Sequence, residues 1–278
     1  MKLAFKKILR TLLIGLMLTI SGSMARGQSL HDKCVINRAV SPDEVIASCT
    51  AKIRSGAESG ERLAYVLAIR ARAYRFKKDD DQAITDATEA IKLNPSYGLS
   101  YYVRAQAYSH KKDYDLAIAD YTASLRIRPR DEIVLQERGH VYQAKGDYDQ
   151  AIANYDEAIK INPNFSWGFN DRCYARAIVG RELQQALSDC NEALRLAPNF
   201  WAAYDSRGFT YLKLGEYDKA IADYDAALKR NHNSAGSFYG RGLAKQKKGD
   251  MASGNADIAV AKTIQNDIAD EFAGYGVK

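Results

Sequence analysis

The chain has 278 residues, 46% hydrophobic and 27% charged, a globular composition that argues against a disordered protein. Its formal net charge is +6, but Lys2, Lys6, Lys7 and Arg10 supply four positive charges that nothing in residues 1–25 offsets, so the chain beyond carries only +2. That near-neutral balance, without a Lys/Arg block, excludes an electrostatic case for binding nucleic acid or a membrane surface.

The basic start leads into an apolar run, Thr11 to Ile20, and then into small residues from Ser21 to Ala25, the pattern of a secretory signal peptide over residues 1–25. Cleavage after Ala25 leaves Ser23 three places before the cut, and cleavage after Gly27 leaves Ala25 there. An uncleaved anchor is the alternative, but the apolar run is well short of the ~20 residues that span a bilayer. Removal of this segment predicts a periplasmic or secreted protein. The rest of the chain has no Pro-rich or Gly/Ser-rich tract, which argues for one continuous body. Residues 26–63 read as an N-terminal cap, with a helix from Pro42 to Ser55.

From there the chain repeats itself. Pro95, Pro129, Pro163 and Pro198, followed by His232 at the next equivalent place, are spaced by 34, 34, 35 and 34 residues. A period of this length is the mark of a repeat architecture. Placing the proline at position 32 gives units 64–97, 98–131, 132–165, 166–200, 201–234 and 235–268, and residues 269–278 follow as a C-terminal cap. In the third unit Leu135, Arg138, Gly139 and Tyr142 fall at helical spacing on one face, and Ala151, Tyr155 and Ala158 do so on a second helix. Gly146 supplies a turn, Asp147 a helix N-cap, and Pro163 a stop. Each unit is a helix hairpin.

The motifs large-R-G-x-x-Y, G-D-Y, A-x-x-x-Y-x-x-A and N-P resemble those of the tetratricopeptide repeat family, over about residues 64–266. The resemblance implies an all-α fold: a right-handed superhelix, or α-solenoid, of about six helix-turn-helix units closed by capping helices at both ends, in a bacterial exported protein. Departures are Asp80 where Tyr usually begins the second helix, Arg176 and an extra residue near Arg181 in the fourth unit, and Lys245 and Gly254 in the sixth, which mark that unit as degenerate. Place 8 is small throughout (Ala71, Ala105, Gly139, Cys173, Gly208, Gly242), as close helix packing requires.

Place 7 is arginine in all six units: Arg70, Arg104, Arg138, Arg172, Arg207 and Arg241. Place 23 is Asp86, Asp120, Asn154, Asp189, Asp223 and Asp257. An acid in step with almost every arginine predicts a ladder of structural ion pairs rather than an anion-binding row. The carboxylates of the "DYD" segments are accounted for as helix N-terminal residues. His31, His110, His140 and His232 lack metal-ligand spacing, and there is no Gly-rich phosphate loop or G-x-S-x-G turn. The reading is therefore of a protein that is not an enzyme, with no metal and no cofactor.

Four cysteines in an exported chain suggest pairing. Cys173 at place 8 and Cys190 at place 24 face each other across one hairpin, and Cys34 with Cys49 would then close the N-terminal cap; free buried thiols are the alternative. In the family, places 2, 5, 9, 12 and 13 line the inner groove. Carried over, these give Tyr65, Arg72, Tyr102, Gln106, His140, Trp167, Asn170, Tyr174, Asp205, Phe209 and Tyr239. The family's clamp for a C-terminal carboxylate is absent, with Ala68, Arg72, Val103, Ile133 and Glu137 at its places. The leading expectation is an exported adaptor that holds an extended peptide or a partner protein of the cell envelope in this groove. A glycan-binding module using the groove aromatics, or an architectural subunit of an envelope complex, are the alternatives.

Overall fold

A computed structural model of the protein describes residues 33–37 and 39–277. The signal segment, both cleavage positions and His31 lie outside the described residues. Among the described residues there are fourteen α-helices and no strand. They group into two compact units divided after Pro129.

The first unit holds α1 (Pro42–Arg54), α2 (Gly60–Phe76), α3 (Asp80–Leu93), α4 (Gly98–His110) and α5 (Tyr114–Ile127). Helix α1 begins with a capping box: Ser41 Oγ accepts from the Glu44 N–H, and Glu44 accepts from the Ser41 N–H. Pro42 sits in the first turn, where its missing N–H costs no hydrogen bond. Cys34 and Cys49 are disulfide-bonded, with Cα atoms 4.9 Å apart, and both are buried beside Val45, Val66 and Ile69. Helix α2 then pairs with α3, and α4 with α5.

The second unit contains the pairs α6 (Glu132–Ala144) with α7 (Tyr148–Ile161), α8 (Ser166–Val179) with α9 (Leu183–Leu196), α10 (Trp201–Leu214) with α11 (Tyr217–Arg230), and α12 (Ala235–Lys247) with α13 (Met251–Ile264). A short helix, α14 (Ile268–Gly274), ends the described chain. The helices within a pair approach closely at places 8 and 24. A Cβ on Gly139 would stand 2.5 Å from Tyr155 Cε1, and one on Gly242 would stand 2.7 Å from Ile258 Cγ1. In the fourth repeat the contact between places 8 and 24 is the Cys173–Cys190 disulfide, Cα–Cα 5.5 Å. The sixth pair is complete despite Gly254. A Cβ there would stand 2.8 Å from the Gly242 carbonyl oxygen, so this glycine permits the close approach.

The arginine at place 7 joins three helices. Arg70 donates Nε and Nη2 to Asp86 at 2.7 and 2.8 Å, and Arg104 makes the same pair with Asp120. Arg172 pairs with Asp189, Arg207 with Asp223 and Arg241 with Asp257 in like manner, while Arg138 donates to the neutral amide of Asn154 at 2.8 Å. The remaining nitrogen, Nη1, reaches back to the preceding helix. It donates from Arg70 to Thr50, from Arg104 to Thr88, from Arg172 to Asp156, from Arg207 to Asn191 and from Arg241 to Asp225. Aromatic residues at place 4 lie under the guanidinium in four repeats: Tyr101, Phe169, Tyr204 and Phe238.

Place 15, in the hairpin turn, is left-handed in every repeat. Gly146, Gly180, Gly215 and Gly249 serve there, but Lys78 (φ 62°) and Lys112 (φ 65°) hold the same conformation with a side chain. Lys112→Gly therefore raises unfolding stability by about 0.5–1 kcal/mol, read from urea or thermal melts; an unchanged midpoint contradicts this. Asp223→Ala strands Arg207, which is largely covered, and costs about 3 kcal/mol in the same assay.

Candidate functional site

The face formed by the first helix of each pair is the one where the sequence places its groove residues. In the first unit, Tyr65 is 40% exposed, its ring 6.1 Å from that of Tyr97. Arg72 lies over the ring of Phe76 at 5.0 Å, and Phe76 is 64% exposed. These two side chains join Val40, Pro42, Val45 and Ile69 around a cleft of about 430 Å³. Tyr102 is half-buried and its hydroxyl accepts from Gln106 Nε2 at 2.9 Å, so these two groove residues are bonded to each other. His110 bonds Asp80 through Nδ1.

In the second unit the polar residues of this face satisfy one another. Asp171 accepts from Gln136 Nε2 at 2.5 Å and pairs with His140 Nε2 at 2.8 Å, while Asn170 Nδ2 donates to its other oxygen at 3.0 Å. Ser206 Oγ donates to Asn170 Oδ1, and Ser237 Oγ donates to Asp205. Burial works against charge on His140, but the hydrogen bond and charge of Asp171, with Glu137 beside it, outweigh that and hold the imidazole's proton above the usual range. Asp205 is pushed up from 3.8 to about 6, chiefly by burial.

Two of the expected groove residues do not face an open surface. Asn170 and Phe209 are 6% and 2% exposed. Phe209 is covered because the C-terminal segment returns over this face. The Phe272 ring stands 5.6 Å from Phe209 and 4.8 Å from Tyr239, and the Tyr275 ring stands 5.9 Å from Phe209 and 6.2 Å from Tyr174. Burial raises the Tyr174 hydroxyl well above its ordinary range. The expected C-terminal cap therefore does more than close the end of the array. Trp167 remains open, 52% exposed, with its ring 4.4 Å from Phe200, and Trp201 is 38% exposed.

Asp171, Gln136, Ser206, Ser237 and Lys213 belong to this face and were not singled out from the sequence. Lys213 stands at place 13, which is a groove place, and that register was the available signal. The serines carry none, since a lone hydroxyl at place 3 or 6 fits any helix. Among the described residues, no group of three His, Cys, Asp or Glu side chains is arranged to hold a metal ion. None of the described helices is long and apolar enough to cross a membrane.

Models of the tetratricopeptide repeat match residues 70–132, 133–165 and 190–222, and a TPR repeat model matches residues 210–249. No curated protein sequence matches the chain. Solved structures of similar fold include a tetratricopeptide repeat protein from Parabacteroides merdae, at 18% identity and TM-score 0.66, covering 84% of this chain and 92% of that one. PilW, a type IV pilus biogenesis factor, is 18% identical at TM-score 0.65, covering 73% and 93%. A chain of the APC/C hetero-tetramer Cut9-Hcn1 is 16% identical at TM-score 0.65, over 81% of this chain but only 46% of its own. At these identities the likeness is one of fold.

Asp205 gives this face a pH signature. The unfolded chain releases that proton near the ordinary 3.8, whereas the folded chain keeps it to about 6, so this residue's contribution to stability falls as pH rises through that window. The stability difference between Asp205→Asn and the unaltered chain, read from urea midpoints, shifts in favour of the variant from about pH 4 to about pH 6. A difference independent of pH contradicts the assignment.

Proposed function

Because the chain belongs to the tetratricopeptide repeat family, a family of protein-interaction scaffolds, we propose that it is a non-enzymatic exported adaptor that binds an extended peptide or a partner protein of the cell envelope along its first-helix face. The observation that carries this reading is the open aromatic residues on the first-helix face of each unit, Tyr65 and Phe76 in the first and Trp167 in the second, which keep between 40% and 64% of their area in water although hairpin packing requires none of them to be large. Export is supported by the basic, apolar and small-residue pattern of residues 1–25 and by the two disulfides, which persist in oxidising compartments. The fold likeness to a pilus biogenesis factor agrees with a role in the envelope.

A glycan ligand is less well served. Sugar recognition needs unspent hydrogen-bonding groups beside the aromatic faces, and here Asn170 and Asp205 are engaged with Ser206 and Ser237. An apolar or aromatic peptide segment makes fewer such demands.

A photo-crosslinking amino acid placed at Trp167 in the exported protein yields a discrete protein adduct in the cell envelope. The same probe at Glu157, exposed on a second helix, yields none. The reverse pattern rejects the first-helix face as the binding surface.

A further inference from the structure

The segment after α13 lies in the groove positions of three successive repeats. Its contacts are Tyr174 at place 9 of the fourth repeat, Phe209 at place 9 and Lys213 at place 13 of the fifth, and Tyr239 at place 5 of the sixth. A helix serving only to close the end of the array would cover the last pair, α12 and α13, and stop there. Here Phe272, 5% exposed, and Tyr275, one helical turn further on, carry the segment past α12 to α10 and α8.

The mode of attachment is that of a bound peptide. Two rings at i and i+3 insert among three receptor rings, with several contacts edge-on. The carbonyl of Tyr275 at the helix C-terminus accepts from Lys213 Nζ at 2.6 Å, and the same ammonium also donates to the Ile178 carbonyl on α8. Glu271 holds the segment's own conformation, accepting from Tyr275 Oη and from Gln265 Nε2. Seven residues are too few to form a helix alone in water, so the groove is what orders it.

We propose that residues 268–277 are a built-in occupant of the groove, and that the site formed by Tyr174, Phe209, Lys213 and Tyr239 takes a partner's short helix bearing two aromatic rings one turn apart, which must displace the chain's own end. This rests on the reading of the first-helix face as the binding surface and names the partner chemistry for its C-terminal portion. Tethering makes the intramolecular occupant a competitor at high effective concentration, so the partner's apparent affinity is set by how often the end is released.

The test uses a fluorescent peptide of residues 266–278 and two proteins, the unaltered chain and Phe272→Ala/Tyr275→Ala. The peptide binds the double variant about tenfold or more tightly than the unaltered chain, and a peptide lacking both rings binds neither. Equal affinity for the two proteins, or equal binding of the ring-less peptide, overturns the proposal. Should the double variant fail to fold, hydrogen exchange on the unaltered chain decides: an excess of isotope-heavy peptide speeds exchange in the chain's own residues 268–277 about tenfold while α10 and α12 stay protected. Unchanged exchange there overturns it. So does a dimer in light scattering that the double variant abolishes, which would make a second copy the occupant. Peptide binding that fails while the Trp167 adduct persists overturns this proposal and spares the wider reading.

Discussion

The arginine at place 7 carries the architecture. Its guanidinium presents donors in a fixed planar fork, and the described repeats use two directions of it at once. In five of the six, Nε and Nη2 grip the aspartate at place 23, which ties the two helices of one hairpin, and Nη1 of those arginines turns to a side chain on the preceding helix. A lysine would supply charge but not this pair of fixed directions. The fork sits on the side of the first helix that faces its partner and predecessor, and the opposite side carries both exposed residues such as Tyr65, Phe76 and Trp167 and covered ones such as Asn170 and Phe209. Residues there differ from repeat to repeat, and those differences give the surface its chemistry.

How much of this was legible in the sequence follows from the range of each interaction. The hairpins, the place 7 and 23 pairs, and the opposition of Cys173 and Cys190 all lie within one 34-residue period, so register alone exposes them. The acceptor of the third guanidinium nitrogen is less visible. It is Thr50, Thr88, Asp156, Asn191 or Asp225, and since any short polar side chain suffices no one residue type is kept throughout. The left-handed turn is written plainly where glycine stands, but Lys78 and Lys112 adopt it without announcing it. The covering of Phe209 was illegible for a different reason. It depends on Phe272 and Tyr275, more than sixty residues away, and periodicity says nothing about a segment that lies outside the period.

The two units therefore offer their first-helix faces in different states. In the first, Arg72, Phe76 and Tyr65 surround or flank open space, and the capping helix α1 contributes to the walls of the cleft. In the second, carboxylates, amides and hydroxyls are paired along the array from Gln136 to Ser237, and the aromatic residues of its C-terminal half are already in contact with the chain's own end. Trp167 is the large ring of that unit left most open.

The covalent link between Cys173 and Cys190 has a mechanical corollary. If the molecule is stretched between its ends, helical pairs joined only by packing and ion pairs can open and lengthen, but the 17 residues spanned by this bond stay closed. At roughly 3.3–3.6 Å per extended residue, about 55–60 Å of chain is withheld from any extension. The stretch from Cys173 to Cys190 is then an inextensible node within the fourth repeat, still closed under loads that unravel the hairpins on either side of it.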